Sequence, residues 1–176
     1  MIIVAIDENN FKKASELINN LDPKKCMVKI GSVSFNSIGQ EIIFYAAERG
    51  FDIFLDLKLH DIPNTVRKSI EGITSFPINM LTIHISGGKD MIRAAMDAVS
   101  GKEIKIFGVT ALTSLSDEDT NKIFKRTASE QVEAMLDLAE SVGIDGVVCS
   151  PHELELVGKR KSLLSITPGI RLDNLN

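Results

Sequence analysis

The chain has 176 residues, of which 44% are hydrophobic and 25% charged, and its net charge is -4. That is long enough to bury the core of one compact soluble domain, and the acidic balance provides no basic field to hold a nucleic acid or an anionic membrane. The expected partner is a small molecule, a phosphate group included, because a few lysines, arginines or backbone amides suffice for one anion.

Cys26 and Cys149 lie far apart within apolar runs, as buried reduced thiols do, which points to the cytoplasm. The stretch Met1-Ile2-Ile3-Val4-Ala5-Ile6-Asp7 is apolar but too short for the core of a signal peptide and lacks preceding positive charges. No apolar run approaches a membrane-spanning length, so no membrane partner is expected.

In chain order, apolar runs of strand length begin near Ile2, Cys26, Asp52, Asn79, Ile104, Gly146 and Leu164. Helical patterns alternate with them. Phe11, Ala14, Leu17, Ile18 and Leu21 share one face, as do Val66, Ile70 and Ile73, and later Val132, Met135, Leu136, Ala139 and Val142. Thr127 with Glu130 fits a capping box, Ser150-Pro151-His152-Glu153 fits another with proline at the first helical position, and Gly50 and Gly143 follow helix ends. Regular βα units without a low-complexity linker predict a parallel sheet covered by helices, either doubly wound or closed as a TIM (β/α)8 barrel. No G-x-G-x-x-G fingerprint follows the first strand, which weakens the doubly wound nucleotide-binding option. Seven strands and six helices are counted, whereas a complete barrel needs roughly 200 residues or more. The expectation is an α/β TIM barrel, a single domain over residues 1–176, truncated before its last βα unit and so incomplete at the C-terminus.

Side chains alternate between the two faces of a strand, so Ile53, Leu55, Leu57 and Leu59 point toward the covering helices, while Phe54, Asp56 and Lys58 point into the barrel. The same phase directs Ile3, Ala5 and Asp7 inward from the first strand, Met27 and Lys29 from the second, and Thr82, His84 and Ser86 from the fourth. Four consecutive strands thus aim polar groups at the carboxyl-end mouth, where barrel enzymes place their chemistry. Desolvating a buried ion costs several kcal/mol even after relaxation, so Asp7, Lys29, Asp56 and Lys58 make a poor device for stabilising a core. They read as a site in preference to an interior salt-bridge network.

Asp61 completes Asp56-x-Lys58-x-x-Asp61, where Pro63 restricts Ile62 to extended shapes and the strand gives way to a loop. Its carboxylate reaches the same lysine only by local turning or from another subunit; otherwise it is a solvated loop acid at the start of a helix. The histidines His60, His84 and His152 lack the close repeated spacing of zinc sites, and Lys58 repels a cation beside these carboxylates, so no metal is expected. His152 reads as the second residue of a helix and His84 as a hydrogen-bonded interior histidine. Gly87-Gly88 reads as a tight strand-to-helix turn or as amides offered to an anion. Thr110-Ala111-Leu112-Thr113-Ser114 brings hydroxyls toward the mouth, to touch a ligand or to cap a turn.

The segment DLKLHDIPNTV at 56–66, with AID ending at Asp7, VKIG at 28–31, HISGG at 84–88, LTS at 112–114 and TPGIR at 167–171, resembles the bacterial orotidine 5'-phosphate decarboxylases, in order across the whole chain. D-x-K-x-x-D alone is shared with magnesium-dependent sugar-phosphate relatives such as 3-keto-L-gulonate 6-phosphate decarboxylase and hexulose-phosphate synthase; the IPNT, VKIG and TPGIR segments favour the pyrimidine enzyme. The resemblance implies decarboxylation of orotidine 5'-monophosphate to uridine 5'-monophosphate, in de novo pyrimidine biosynthesis, by a homodimer that uses neither metal nor cofactor. It implies that Asp7 and Lys29 hold the ribose hydroxyls, that Asp56, Lys58 and Asp61 form the catalytic network with Lys58 as proton donor, and that Asp61, Ile62 and Thr65 enter the neighbouring subunit's site. It also implies that Thr113 and Ser114 touch the pyrimidine, that Pro168 lines the base pocket and that Arg171 contacts the ligand. The family's phosphate grip, a glutamine after the seventh strand and a glycine-arginine pair after the eighth, is expected beyond Asn176. The alternatives are a magnesium-dependent sugar-phosphate lyase of the same superfamily and a non-catalytic barrel fragment that binds nucleotide.

Overall fold

The computed structural model describes residues 1–112 and 114–169. Seven strands, β1 (Ile2–Ile6), β2 (Cys26–Gly31), β3 (Ile53–Leu59), β4 (Met80–His84), β5 (Lys105–Val109), β6 (Gly146–Val148) and β7 (Leu164–Ile166), pair in parallel with their neighbours in chain order. Parallel neighbours need crossovers, and helices supply them: α1 (Phe11–Asn19), α2 (Ser32–Ile38), α3 (Glu41–Glu48), α4 (Pro63–Ile73), α5 (Gly88–Ala98), α6 (Asp117–Phe124), α7 (Ala128–Val142) and α8 (Leu154–Gly158). Two of these exceed the expected six. Helix α2 starts directly at the end of β2, and α6, DEDTNKIF, has too few apolar residues to show a period.

Two apolar layers show that the sheet curls. Met27, Phe54, Met80 and Phe107 form an inner cluster with Ile3, Val148 and Ile166, one residue from each strand. Phe54 and Phe107 stand two strands apart, yet their ring centroids lie 6.3 Å from each other, so the sheet is concave on this side. The outer layer joins Val28, Ile30, Ile53, Leu55, Leu81, Ile83, Ile106 and Val147 to helix residues such as Ile18, Ile42, Ile70, Ile92 and Leu136. This is the TIM-barrel arrangement, with seven strands among the described residues and no pairing between β1 and β7. Side chains of β1 near this opening are correspondingly exposed, Ile2 and Ala5 among them.

The expected punctuation is present. Thr127 and Glu130 form a reciprocal capping box on α7, which ends at Gly143 in the left-handed conformation (φ 77°). Ser150 and Glu153 form another, over a short 3-10 turn, Pro151–Glu153, that precedes α8. Gly88 also has positive φ (83°), so Gly87-Gly88 makes the tight turn from β4 into α5. Ser86 lies in that turn, because β4 stops at His84 and Ile85–Gly87 coil into a 3-10 segment. Among the described residues no helix is long and apolar enough to cross a membrane.

Candidate active site

Four charges of alternating sign meet at the carboxyl end of β1, β2 and β3. Asp7 Oδ1 lies 3.8 Å from Lys29 Nζ, Lys29 Nζ lies 3.3 Å from Asp56 Oδ2, and Lys58 Nζ donates to both oxygens of Asp56 at 2.8 Å. The row runs from open to buried and back: side-chain exposure is 58% at Asp7, 22% at Lys29, 9% at Asp56 and 37% at Lys58. Two ammonium groups therefore share one buried carboxylate, and the outer ammonium stands at the mouth where a ligand can meet it.

The backbone of β3 bends to present Lys58. Leu55 pairs with Leu81 and Leu59 with Ile83, so β3 spends four residues where β4 spends two. Lys58 lies at the slip with φ 51°, a left-handed conformation that costs a non-glycine residue roughly 1–2 kcal/mol. Its N–H donates to Thr82 Oγ at 2.9 Å, and the same hydroxyl donates to Asp56 Oδ1 at 2.9 Å. Thr82 is fully buried. Its inward direction was legible from the alternation of β4, but an interior threonine has no sequence mark that separates it from packing.

Burial by itself raises the pKa of Asp56, but the hydrogen bond and charge of Lys58, the charge of Lys29 and the Thr82 hydroxyl together outweigh it and hold the carboxyl below its ordinary range. Asp56 is thus an anion even inside the barrel. His84, half-buried at the end of β4, is shifted downward by burial first, then by His60 and Lys58, so its imidazole is neutral at pH 7. It was expected to be hydrogen-bonded; among the described residues its ring makes no hydrogen bond and instead packs against His60 at 5.3 Å between centroids.

Two further residues support the row. Ser34, fully buried in α2, accepts the Glu8 N–H at 3.2 Å, donates toward the Glu8 carbonyl at 2.8 Å and contacts the Ile6 carbonyl, so it holds the backbone on both sides of Asp7. A Cβ on Gly31 would stand 3.3 Å from Lys29 Nζ, which would have to give way slightly, and 3.5 Å from Asp7 Oδ1, an ordinary contact.

The remaining expected positions lie outside this cluster. The Asp61 side chain is exposed and its Oδ1 accepts the Ile62 N–H at 2.7 Å; among the described residues it makes no ion pair with Lys58. Ile62 is 66% exposed as the residue before α4, and Thr65 is exposed in its first turn. Ser114 is exposed in a turn after β5 and Pro168 is exposed beyond β7, while Thr113 and Arg171 fall outside the described residues. Thr110 is buried and bonds to the Val148 carbonyl at 3.2 Å and Glu153 at 3.4 Å, so its hydroxyl serves the fold. A surface hollow bounded by Asp52, Asn79 and Ile104 lies at the opposite, amino-terminal end of the strands.

Residues 1–175 match the family described as Orotidine 5'-phosphate decarboxylase / HUMPS. The orotidine 5'-phosphate decarboxylase of Ehrlichia chaffeensis is 44% identical over 177 residues, covering 98% of this chain and 77% of that protein. The one from Saccharophagus degradans is 42% identical over 177 residues, covering 97% of this chain and 74% of that protein. In three dimensions, the orotidine 5'-phosphate decarboxylase of Lactobacillus acidophilus is similar with a TM-score of 0.89 at 35% identity, covering 97% of this chain and 81% of that one.

Proposed function

The chain belongs to the orotidine 5'-phosphate decarboxylase / HUMPS family, and from that premise we propose that it converts orotidine 5'-monophosphate to uridine 5'-monophosphate in pyrimidine biosynthesis, with Lys58 as the proton donor. The observation that carries this reading is the Lys58 ammonium, bonded to both oxygens of a buried carboxylate and left partly open at the barrel mouth.

Breaking the bond between ring carbon six and the carboxyl group releases carbon dioxide and leaves the bonding pair on that carbon, with no conjugated sink such as pyridoxal or thiamine provides. Stabilisation must then be electrostatic. An ammonium already fixed beside the developing charge supplies it without reorganisation, and transfer of one proton from Nζ to carbon six completes the product. The lysine is left as a neutral amine and regains its proton from solvent. Asp56 keeps the ammonium oriented, while Asp7 and Lys29 bind the ribose hydroxyls, so that binding energy away from the reacting carbon fixes the geometry there.

In this reading the functional unit is a homodimer. The exposed Asp61, Ile62 and Thr65 of one subunit enter the site of the other, which gives the Asp61 carboxylate a route to a lysine it does not meet in its own chain. Thr113, Ser114 and Pro168 serve the base, and Arg171 the ligand. The reaction needs neither metal nor cofactor, and the free thiols of Cys26 and Cys149 support a reducing cytoplasmic setting.

Release of carbon dioxide from orotidine monophosphate, assayed with and without excess chelator, is the test. Activity that survives chelation is expected and removes a magnesium-dependent lyase; activity abolished by chelator and restored by magnesium overturns the metal-free mechanism. Binding of uridine monophosphate with no turnover of orotidine monophosphate overturns the enzymatic reading.

A further inference from the structure

Opposite Lys58 stands a buried hydroxyl that carries no charge and touches two charged residues. Thr82 Oγ accepts the Lys58 N–H at 2.9 Å and donates to Asp56 Oδ1 at 2.9 Å, and Asp56 in turn accepts the Lys58 ammonium on both oxygens at 2.8 Å. The direction of each bond is set by chemistry: an amide only donates and a carboxylate only accepts, so the one proton of the hydroxyl must point to Asp56. The four groups close a ring that starts at the amide of Lys58 and returns to its ammonium.

The ring sits where regular pairing fails. At the slip between β3 and β4 the Lys58 N–H is bonded to a side chain instead of a β4 carbonyl, and the lysine is held at φ 51°. The β-branched threonine is suited to this because its χ1 is stiff on a strand, so one rotamer keeps the oxygen between both partners. We propose that Thr82 is a positioning residue for catalysis, one that fixes the Lys58 backbone and the Asp56 carboxylate together so that the ammonium is held in one place at the barrel mouth. Misplacement by about 1 Å is enough to lower a rate on the order of 100-fold, so a single shared hydroxyl has leverage over the chemical step. This inference rests on the decarboxylase reading for its kinetic consequence, but its structural half stands without it.

The experiment compares Thr82→Val, isosteric but without the hydroxyl, with Thr82→Ser, which keeps it. Thr82→Val is expected to lower kcat at least ~10-fold, equivalent to about 1.4 kcal/mol, with KM changed by no more than about twofold, and Thr82→Ser to recover most of the loss. The acid limb of the kcat profile should move to higher pH in the valine variant, because Asp56 loses a bond that favours its anion. Hydrogen exchange at the Lys58 amide, which needs no substrate, should speed up in Thr82→Val and stay slow in Thr82→Ser. If valine does not fold, Thr82→Ala takes its place. A kcat within about twofold of wild type in the variant lacking the hydroxyl, a serine variant no better than valine, or unchanged exchange at Lys58 overturns the proposal. Wild-type protein inactive on orotidine monophosphate would overturn the decarboxylase reading instead, while exchange at the Lys58 amide would still decide whether Thr82 holds that backbone.

Discussion

Lys58 reaches both carboxylate oxygens of Asp56, at 2.8 Å each, from only two residues further along the same strand. Neighbours at that spacing share a face of a regular strand, but here the chain also turns left-handed at Lys58, φ 51°, where β3 loses step with β4. The charge pair and the backbone slip occupy the same three residues.

Replacing the lysine separates its chemistry from its structural role. Lys58→Ala should remove nearly all turnover while the protein still folds, since it leaves Asp56 paired with Lys29 and the left-handed backbone here is no worse for alanine than for lysine. Turnover above one tenth of wild type, a loss of less than about 1.4 kcal/mol, would rule out the proton-donor role, provided circular dichroism and the thermal midpoint report a folded protein.

Asp56 should leave a signature in acid stability. Its folded-state pKa lies below the ordinary value, so its contribution is fully present above about pH 4 and is lost as the pH falls through the depressed folded value. Urea unfolding of wild type and Asp56→Asn across the acid range should give a stability difference that is constant near neutrality and narrows below about pH 4. A difference that grows with acidity would mean that the carboxyl is not held as an anion.

Shared sites are tested by complementation. Lys58→Ala and Asp61→Ala are each expected to be inactive, and mixing them under conditions of verified subunit exchange should restore activity, because one site of the mixed dimer has both residues intact. No recovery would mean that each chain builds its own site and that the exposed Asp61 turns toward Lys58 within one subunit.

Ser34 should report on the Asp7 end of the row. Ser34→Ala removes a buried hydroxyl that ties Ile6 and Glu8 around Asp7, leaving backbone groups without that partner at a cost of about 1–3 kcal/mol. Under the proposed assignment, in which Asp7 binds the ribose and does not react, steady-state kinetics should show KM raised more than kcat is lowered. A selective fall in kcat at unchanged KM would place Ser34 in the wrong half of the site.

Much of this site was readable from residue order alone. Period-two alternation placed Asp7, Lys29, Asp56 and Lys58 on one face of successive strands, and all four meet there. The capping boxes at Thr127 and Ser150 were readable for the same reason, since both are contacts between residues three apart. Tertiary structure decided the rest. The slip between β3 and β4, the capture of the Lys58 amide by Thr82 and the hold of Ser34 on the flanks of Asp7 each join residues more than twenty positions apart. Whether a hydroxyl meets an amide across such a separation depends on strand register and on the curl of the sheet. Both are set by packing of the whole core, so no local pattern in β3, β4 or α2 encodes them.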